Sequence, residues 1–186
     1  MKKPIQLKTP LGYEVLSLHA GDAVELSGIV YTARDEAHLR MKEEGIPFDP
    51  KGAAIYHCGP VIRDGKIIAA GPTTSARMNA LSGFLLDAGV RALIGKGGMD
   101  STVRKQLEGR GVYLALTGGA AVLAASRMRL KRVYFEDLGM AEAVWKIELD
   151  HLPLVVGIDG HGGDLFEKVR VSAKKEYERY KIGGKQ

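Results

Sequence analysis

Cysteine is almost absent from this sequence, since Cys58 is the single one among 186 residues. One thiol excludes an internal disulfide framework. It also excludes a zinc or iron–sulfur site built from the thiolates of this chain alone, because such sites need several of them. The chain by itself therefore offers no cysteine-based metal site.

Long apolar runs are missing as well. No stretch approaches the ~18 apolar residues of a membrane span, and the start Met1-Lys2-Lys3 lacks the apolar core of a signal peptide. Hydrophobic residues make up 45% and charged residues 26%, which is an ordinary globular composition. We expect a cytoplasmic protein without membrane contact, folded as one domain over residues 1–186.

The charge is unevenly distributed. Lys and Arg number 27 against 22 Asp and Glu, which gives a net charge of +5. Most of the excess lies between Phe166 and Gln186, where seven basic residues accompany three acidic ones. Such a tail is more often a solvated or partner-docking face than a nucleic-acid site. We therefore predict a basic C-terminal helix over about residues 164–182 and no nucleic-acid partner.

Strand-like and helix-like segments alternate along the chain, which predicts an α/β layer architecture. Strands are expected at 23–30, 53–58, 90–94, 112–117, 130–135, 144–149 and 154–158. Helices are expected at 34–44, 73–88, 100–108 and 120–128, with Asp100 as an N-cap residue. Asp64-Gly65 between two β-rich arms predicts a hairpin over 61–70.

The segment from Gly71 to Arg77 carries the most information. Pro72 fixes the entry geometry of the predicted helix, and Thr73 or Thr74 can cap it. The free N–H groups and the dipole of a helix start favour an anion. Arg77 lies about one turn inside, where a cation opposes the dipole unless a negative ligand offsets it. The segment thus indicates a carboxylate or phosphate site, and the alternative is a capped helix whose Arg77 reaches solvent or a surface acid.

The loop Gly95–Asp100 follows a buried strand and precedes a helix. Its glycines allow close approach of the backbone to a ligand, and Lys96 adds a charge. It is not a P-loop, because five residues separate Gly89 from Gly95 and Gly97 occupies the Ser/Thr position. The third glycine of a dinucleotide fingerprint is also missing. An anion-binding loop and a plain tight turn both remain open.

Arg34 and His38 share one face of a predicted helix because they are four residues apart, and Asp35 lies in its first turn. Arg34 could bind a carboxylate and His38 could carry a proton, whereas the alternative is an exposed, charge-rich helix. Arg34, Arg77 and Lys96 each follow a strand-to-helix junction. Three cations converging on one sheet edge would suit a small dicarboxylate.

The neighbours His57 and Cys58 suggest a metal or nucleophile pair at first sight. Adjacent residues of a strand point to opposite faces, so these two side chains cannot cooperate directly. Cys58 is expected in the core. The residues alone thus indicate an anion-binding α/β domain, and a nucleotide- or phosphate-binding module without chemistry remains an alternative.

Four motifs follow one another in order: Arg34-Asp35-x-x-His38, His57-Cys58-Gly59-Pro60, Gly71-Pro72-Thr73-Thr74-Ser75-x-Arg77-Met78 and Gly95-Lys96-Gly97-Gly98-Met99. In this order and spacing they resemble the beta subunit of the iron–sulfur hydro-lyases, the family of class I fumarase and L(+)-tartrate dehydratase. The similarity continues through 119–124, 136–140 and 145–147, so that it covers nearly the whole chain.

This resemblance implies a single swivelling β/α/β domain with a mixed sheet flanked by helices. It implies a carbon–oxygen hydro-lyase that acts on a small dicarboxylate and is active only with a partner subunit. The cofactor would be a [4Fe–4S] cluster, ligated by three cysteines of that alpha subunit and not by this chain. Homodimerisation of the beta subunit is a further arrangement that the resemblance allows.

The resemblance also implies roles for individual residues. The substrate-binding side chains would be Arg34, Thr73, Thr74, Arg77 and Lys96. Thr73 aligns with a threonine proposed as the proton acceptor, and because a free hydroxyl is a weak base at pH 7, Lys96 or another charge would have to activate it. His38 is the rival proton carrier, since the ordinary pKa of histidine is near 6.5.

The expected reaction is the reversible hydration of fumarate to L-malate, because this is the more general metabolic pair, a step of the tricarboxylic acid cycle. The segment Gly97-Gly98-Met99 is nearer to the two-subunit enzymes, which include L(+)-tartrate dehydratase. Dehydration of tartrate to oxaloacetate is therefore the alternative.

Overall fold

The computed structural model describes residues 3–183. Its strands are β1 (Ile5–Lys8), β2 (Ala23–Thr32), β3 (Ala54–Tyr56), β4 (Val61–Arg63), β5 (Lys66–Ala69), β6 (Ala92–Gly95), β7 (Val112–Ala115), β8 (Met128–Tyr134) and β9 (Val144–Ile158). Its α-helices are α1 (Asp35–Glu44), α2 (Gly83–Asp87), α3 (Ser101–Leu107), α4 (Ala121–Ala125) and α5 (Leu165–Gly183). Short 3₁₀ helices lie at Tyr13–Ser17, Ser75–Leu81 and Glu136–Leu138.

Seven strands form one mixed sheet in the order β1-β2-β3-β6-β7-β9-β8. The first five are parallel to one another, whereas β9 runs antiparallel to β7, β8 and β2. Because β9 pairs with both β7 and β2, the strands β2, β3, β6, β7 and β9 form a closed ring. The structure thus confirms a mixed sheet flanked by helices.

Alternate residues along these strands supply two hydrophobic cores, as the two faces of a pleated sheet require. One core takes Leu26, Tyr56 and Ile94 from β2, β3 and β6. The other takes Ile55 and Leu93 together with residues of α1, α2 and α3, which cover that face. The helix-covered face also carries the buried side chains of His38 and His57.

Two local expectations are confirmed. The hairpin of β4 and β5 turns at Asp64 and Gly65, whose φ angles of 51° and 69° are those of a left-handed two-residue turn. The carboxylate of Asp100 caps α3, because its Oδ1 accepts hydrogen bonds from the amides of Thr102 and Val103, both at 3.0 Å. Turn and cap chemistry are local, so sequence suffices to find them.

The prediction of one continuous helix at 73–88 is wrong. The chain stays extended through Thr74, forms the 3₁₀ helix Ser75–Leu81, and begins α2 only after Ser82. The buried Ser82 hydroxyl donates to the carbonyl of Met78 at 2.8 Å, which ends the first helix locally. Thr73 and Ser75 give their amides to neighbouring strand ends instead of to a helix.

Other predicted element boundaries also differ from those of the structure. The expected helix at 120–128 is only the five residues of α4, because Met128 already belongs to β8. The two strands expected at 144–149 and 154–158 are one continuous strand, β9, with His151 at φ 50° in its middle. β1 was not foreseen. The C-terminal helix is present as α5, and no helix of residues 3–183 is long and apolar enough to cross a membrane.

The cap of α3 gives a first testable prediction. We expect Asp100→Ala to lower the free energy of unfolding by about 1 kcal/mol, because two backbone amides lose their acceptor. Asp100→Ser should retain most of the stability, since a serine hydroxyl also caps a helix. Urea denaturation of the three proteins measures the difference, and equal stability of the alanine and serine variants would contradict the capping role.

Candidate active site

The candidate site lies at the carboxyl ends of β2, β3 and β6, three neighbouring parallel strands. Arg34 follows β2 and is the N-cap residue of α1. His57 follows β3, and Lys96 follows β6. Because the three strands run in the same direction, the residues after them lie along one edge of the sheet, where α/β folds commonly bind ligands.

The segment 72–75 is inserted between the ends of β3 and β6. The amide of Thr73 donates to the carbonyl of His57 at 2.6 Å, and the amide of Lys96 donates to the carbonyl of Thr73 at 3.2 Å. The amide of Ser75 donates in turn to the carbonyl of Lys96 at 3.0 Å. The segment, called the inserted segment below, therefore lies in the sheet like a short additional strand, with Thr74 as the register partner of Lys96 and Thr73 bonded to the Lys96 amide.

Both arginines of the site have acidic partners. Nη2 and Nε of Arg77 donate to the two carboxylate oxygens of Asp35 at 2.6 and 3.2 Å. Nε of Arg34 lies 3.2 Å from Oε1 of Glu142 but is not aligned for a hydrogen bond. Asp35 follows Arg34 directly in the chain, so both ion pairs involve residues at the start of α1. The alternative in which Arg77 reaches a surface acid is therefore what the structure has.

Of the three cations, Lys96 forms no ion pair with an acidic side chain of residues 3–183, and its side chain is half-buried. Arg34 and Lys96 follow parallel strands of the sheet, whereas Arg77 lies in the 3₁₀ helix after the inserted segment and reaches Asp35 at the start of α1. None of the three contributes to the walls of the two cavities of about 590 and 680 Å³ elsewhere in the fold. They lie instead on an open edge, and their roles as substrate ligands remain predictions.

The two threonines differ in exposure. Thr73 is half-buried and Thr74 is exposed. Thr74 is the N-cap residue of the 3₁₀ helix, yet its side chain accepts no capping hydrogen bond, so the expected cap is wrong. The predicted anion site at the start of a long α-helix loses its support as well, because a seven-residue 3₁₀ helix begins here instead. Hydrogen bonding by the threonine hydroxyls stays a prediction.

His38 is fully buried on α1. Its Nδ1 lies 2.6 Å from the carbonyl oxygen of Arg34, and because a carbonyl can only accept, Nδ1 carries the proton and Nε2 a lone pair. Burial lowers the pKa of His38, although the Arg34 carbonyl and the charge of Asp35 act in the opposite direction. The ring is neutral at pH 7 and has no surface through which it could touch a bound molecule in this conformation.

His57 also lies in the site, although the sequence pointed to it only as a neighbour of Cys58 and as part of a family motif, without a role. Its ring is completely buried, lies 5.5 Å from the ring of His38 between centroids, and places Nδ1 2.8 Å from the hydroxyl of Ser75. Burial and the nearby His38 together lower the pKa of His57 well below its ordinary value. Ser75 is 18 residues away in the chain, so no local pattern marks the pair.

Cys58 lies on the opposite face of the strand end, as strand geometry requires, in the core with Tyr56. Burial raises the pKa of the Cys58 thiol to about 12. Residues 3–183 contain no group of three or more histidine, cysteine or acidic side chains arranged to hold a metal ion. The part of the chain that the structure describes therefore does not fit the ligand set of an iron–sulfur cluster.

The two buried histidines predict a dependence of stability on pH. Their folded-state pKa values lie below 6.5, so the unfolded chain takes up protons first as the pH falls. The free energy of unfolding should therefore decrease below about pH 6.5, by up to about 1.4 kcal/mol per pH unit for each histidine. Urea denaturation between about pH 5 and pH 7 measures this slope.

The control separates this effect from general acid sensitivity. His38→Gln and His57→Gln should each make the slope shallower, because one buried imidazole is removed. The same substitution at the exposed His151 should leave the slope as it is. Equal slopes in all four proteins would show that the buried imidazoles do not govern the acid response.

Comparison with known proteins gives consistent results. The family described as "Fumarase C-terminus" matches residues 1–169. The protein named "Putative L(+)-tartrate dehydratase subunit beta" from Methanocaldococcus jannaschii is 45% identical over 180 residues, which cover 89% of this chain and 91% of that protein. The L(+)-tartrate dehydratase subunit beta of Escherichia coli is 35% identical over 170 residues, or 86% and 85% of the two chains.

A third relative has a different length. The protein named "Putative fumarate hydratase class I" from Geobacillus stearothermophilus is 35% identical over 189 residues, which cover 97% of this chain but only 37% of that protein. The similarity thus spans most of the two subunits named beta and about a third of the longer protein. Since the family match and two of these relatives extend over most of the sequence, the chain belongs to the Fumarase C-terminus family.

Proposed function

We propose that this chain is the beta subunit of a fumarate hydratase and that its sheet edge forms half of the site that interconverts fumarate and L-malate. The observation that supports this most strongly is the meeting of Arg34, Arg77, Lys96 and Thr73 at the carboxyl ends of β2, β3 and β6. These four residues stand at the positions of the family motifs. Both enzymes named among the relatives, fumarate hydratase and tartrate dehydratase, are hydro-lyases.

The cations would bind the two carboxylates of the substrate. Dehydration of a 2-hydroxy dicarboxylate removes a proton from the carbon next to one carboxylate, so negative charge develops on that carboxylate in the transition state. Fixed positive groups stabilise this charge. Asp35 holds the guanidinium of Arg77 with two hydrogen bonds, so that its orientation is set before a substrate binds.

Thr73 is the better-placed proton acceptor. It is half-buried at the open edge, whereas His38 is sealed in the core. As a base Thr73 must act as its alkoxide, and we propose that the ammonium group of Lys96, whose backbone is hydrogen-bonded to that of Thr73, stabilises it. The alkoxide takes the proton from carbon, hydroxide leaves the neighbouring carbon, and the threonine proton is then released to give water with that hydroxide.

The remaining part of the site would come from a partner. Two relatives are named as beta subunits, which implies an alpha subunit, and the described residues hold no cluster ligands. We propose that a [4Fe–4S] cluster is ligated by this alpha subunit and that departure of the hydroxyl group belongs to the partner's half of the site. A cytoplasmic location is part of the same proposal.

L(+)-tartrate dehydratase is the second candidate, because the relatives matched over most of their length carry that name. The same cations and the same proton acceptor would serve tartrate, which is also a 2-hydroxy dicarboxylate. Side-by-side rates with L-malate and L(+)-tartrate distinguish the two enzymes. Calorimetry with a nucleotide and with C4 dicarboxylates tests the non-catalytic anion-binding alternative.

The proposal predicts that activity needs both subunits and Arg77. The chain purified alone should be inactive, and the complex assembled anaerobically with iron should change the ultraviolet absorbance of fumarate. Arg77→Ala should lower kcat/KM by about a hundredfold, as expected for the loss of a buried, charge-assisted contact to a carboxylate in the complex.

Arg110→Ala is the matched control, because Arg110 forms a comparable surface ion pair with Asp87 away from the sheet edge. It should keep the activity of the unchanged complex, since exposed ion pairs contribute only about 0–1 kcal/mol to stability. Full activity of the isolated chain would refute the two-subunit site. Unchanged activity of the Arg77→Ala complex would refute the role of Arg77 in that site.

The choice between the two proton carriers has its own test. Thr73→Val keeps the shape of the side chain but removes the hydroxyl, and we expect it to lower kcat by about a hundredfold or more. Thr73→Ser should retain a measurable part of the rate. His38→Gln should change kcat by less than about tenfold, because the buried ring does not reach the substrate. The reverse order of the two losses would assign the proton transfer to His38.

A further inference from the structure

Three buried side chains form a chain of hydrogen bonds directly beneath the inserted segment. Nδ1 of His57 lies 2.8 Å from Oγ of Ser75, and the hydroxyl oxygen of Tyr113 lies 3.1 Å from the same Oγ. The Tyr113 hydroxyl also lies 2.8 Å from the carbonyl oxygen of Gly97. His57, Ser75 and Tyr113 are all completely buried, so water does not compete for these contacts.

The direction of these hydrogen bonds follows from chemistry. The Gly97 carbonyl can only accept, so the single proton of the Tyr113 hydroxyl goes to it. The Ser75 hydroxyl then donates to the Tyr113 oxygen, and His57 donates from Nδ1 to Ser75. All three contacts are satisfied together only in this arrangement, which requires a proton on Nδ1 of His57. Burial, which lowers the pKa of His57, keeps the ring in its neutral form.

The backbone beside this chain of hydrogen bonds leaves no room for a side chain. A Cβ atom at Gly95 would stand 1.8 Å from Oγ of Ser75 and 3.2 Å from Nδ1 of His57. Glycine at the last position of β6 therefore allows Ser75 to sit against the strand and to reach His57. The close approach couples the inserted segment to β6 through side chains as well as through the backbone.

The hydrogen-bond chain contacts the two segments that carry Thr73 and Lys96, the residues used in the proposed reaction. Ser75 belongs to the inserted segment, two residues after Thr73, and Gly97 follows Lys96 directly. Arg34 and Arg77 are held separately, by Glu142 and Asp35. A change in the buried chain would thus act most directly on Thr73 and Lys96, whereas the guanidinium groups keep their acidic partners.

Resting on the proposed function, we propose that His57 is a positioning residue, which acts through Ser75 and Tyr113 to hold Thr73 and Lys96 in their reactive placement. His57 itself touches no substrate in this proposal. Its contribution is to orient the Ser75 hydroxyl, and thereby both the inserted segment and the loop that carries Lys96.

The first test measures the segment without using activity. Ser75→Ala should speed hydrogen exchange at the amides of Thr73 and Lys96 in the full chain by about tenfold, because the side-chain anchor is lost. Ser82→Ala is the matched control, since it removes an equally buried serine hydroxyl, bound to the Met78 carbonyl, at the far end of the same 3₁₀ helix. The control should leave both amides as slow as in the unchanged chain.

The second test uses kcat and KM of the assembled complex. Ser75→Ala and Tyr113→Phe should each lower kcat by about ten- to a hundredfold, because small displacements of reacting groups are costly, and should change KM by less than about threefold. KM is expected to change much less than kcat, because both arginines keep binding the carboxylates and Lys96 is only one of the three cations. Tyr113→Phe retains the ring that packs near Phe166, so it tests the same hydrogen-bond chain even if Ser75→Ala fails to fold.

The third test separates positioning from mere filling of space. His57→Asn places an amide N–H near the position of Nδ1 and should keep kcat within about threefold of the unchanged complex. His57→Leu fills the volume but cannot donate, and it should lose kcat to the same extent as Ser75→Ala. A role limited to packing predicts the opposite order, with leucine at least as active as asparagine.

The outcomes distinguish the two proposals. A complex that acts on neither fumarate nor tartrate refutes the proposed function, whereas the exchange rates still decide whether the hydrogen-bond chain holds the segment. An active complex in which Ser75→Ala behaves like Ser82→Ala in exchange and in kcat overturns the positioning role of His57. A loss confined to KM would overturn it as well, since it would place the effect in substrate binding.

Discussion

The insertion of residues 72–75 between the ends of β3 and β6 is the constraint on which the site depends. Two parallel strands that diverge at their carboxyl ends leave backbone groups without partners, and buried backbone groups need them. The inserted segment supplies those partners, because its backbone forms hydrogen bonds with the carbonyl of His57 and with both backbone groups of Lys96. The same contacts that satisfy the sheet edge also set Thr73 beside Lys96.

Charge at this edge is arranged for orientation more than for stability. Exposed ion pairs such as that of Arg77 with Asp35 contribute only about 0–1 kcal/mol. Their geometry is nevertheless restrictive, because two parallel hydrogen bonds fix the plane of a guanidinium group. Beneath them lie two neutral imidazoles, His38 and His57, whose burial favours the uncharged ring. The edge therefore carries two ion pairs and the ammonium group of Lys96 at its surface, and uncharged imidazoles beneath.

Much of the fold could be predicted from local patterns, and its failures have a common cause. The hairpin at Asp64-Gly65 and the cap at Asp100 depend on neighbouring residues, so the sequence predicts them. The helix expected at 73–88 failed because Thr73 and Ser75 form hydrogen bonds with strand ends that are distant in sequence. The ring closed by β9 likewise depends on its pairing with both β2 and β7.

The amino-acid sequence alone indicated the family, through four ordered motifs, and it placed Arg34 and Lys96 after strands whose parallel direction brings them to one edge. Only the tertiary structure decided that Arg77 is held by Asp35, that His38 is sealed in the core and that His57 reaches Ser75. The physical reason is distance along the chain. Spacing within one element fixes which residues share a face, whereas contacts between elements depend on how the whole sheet closes.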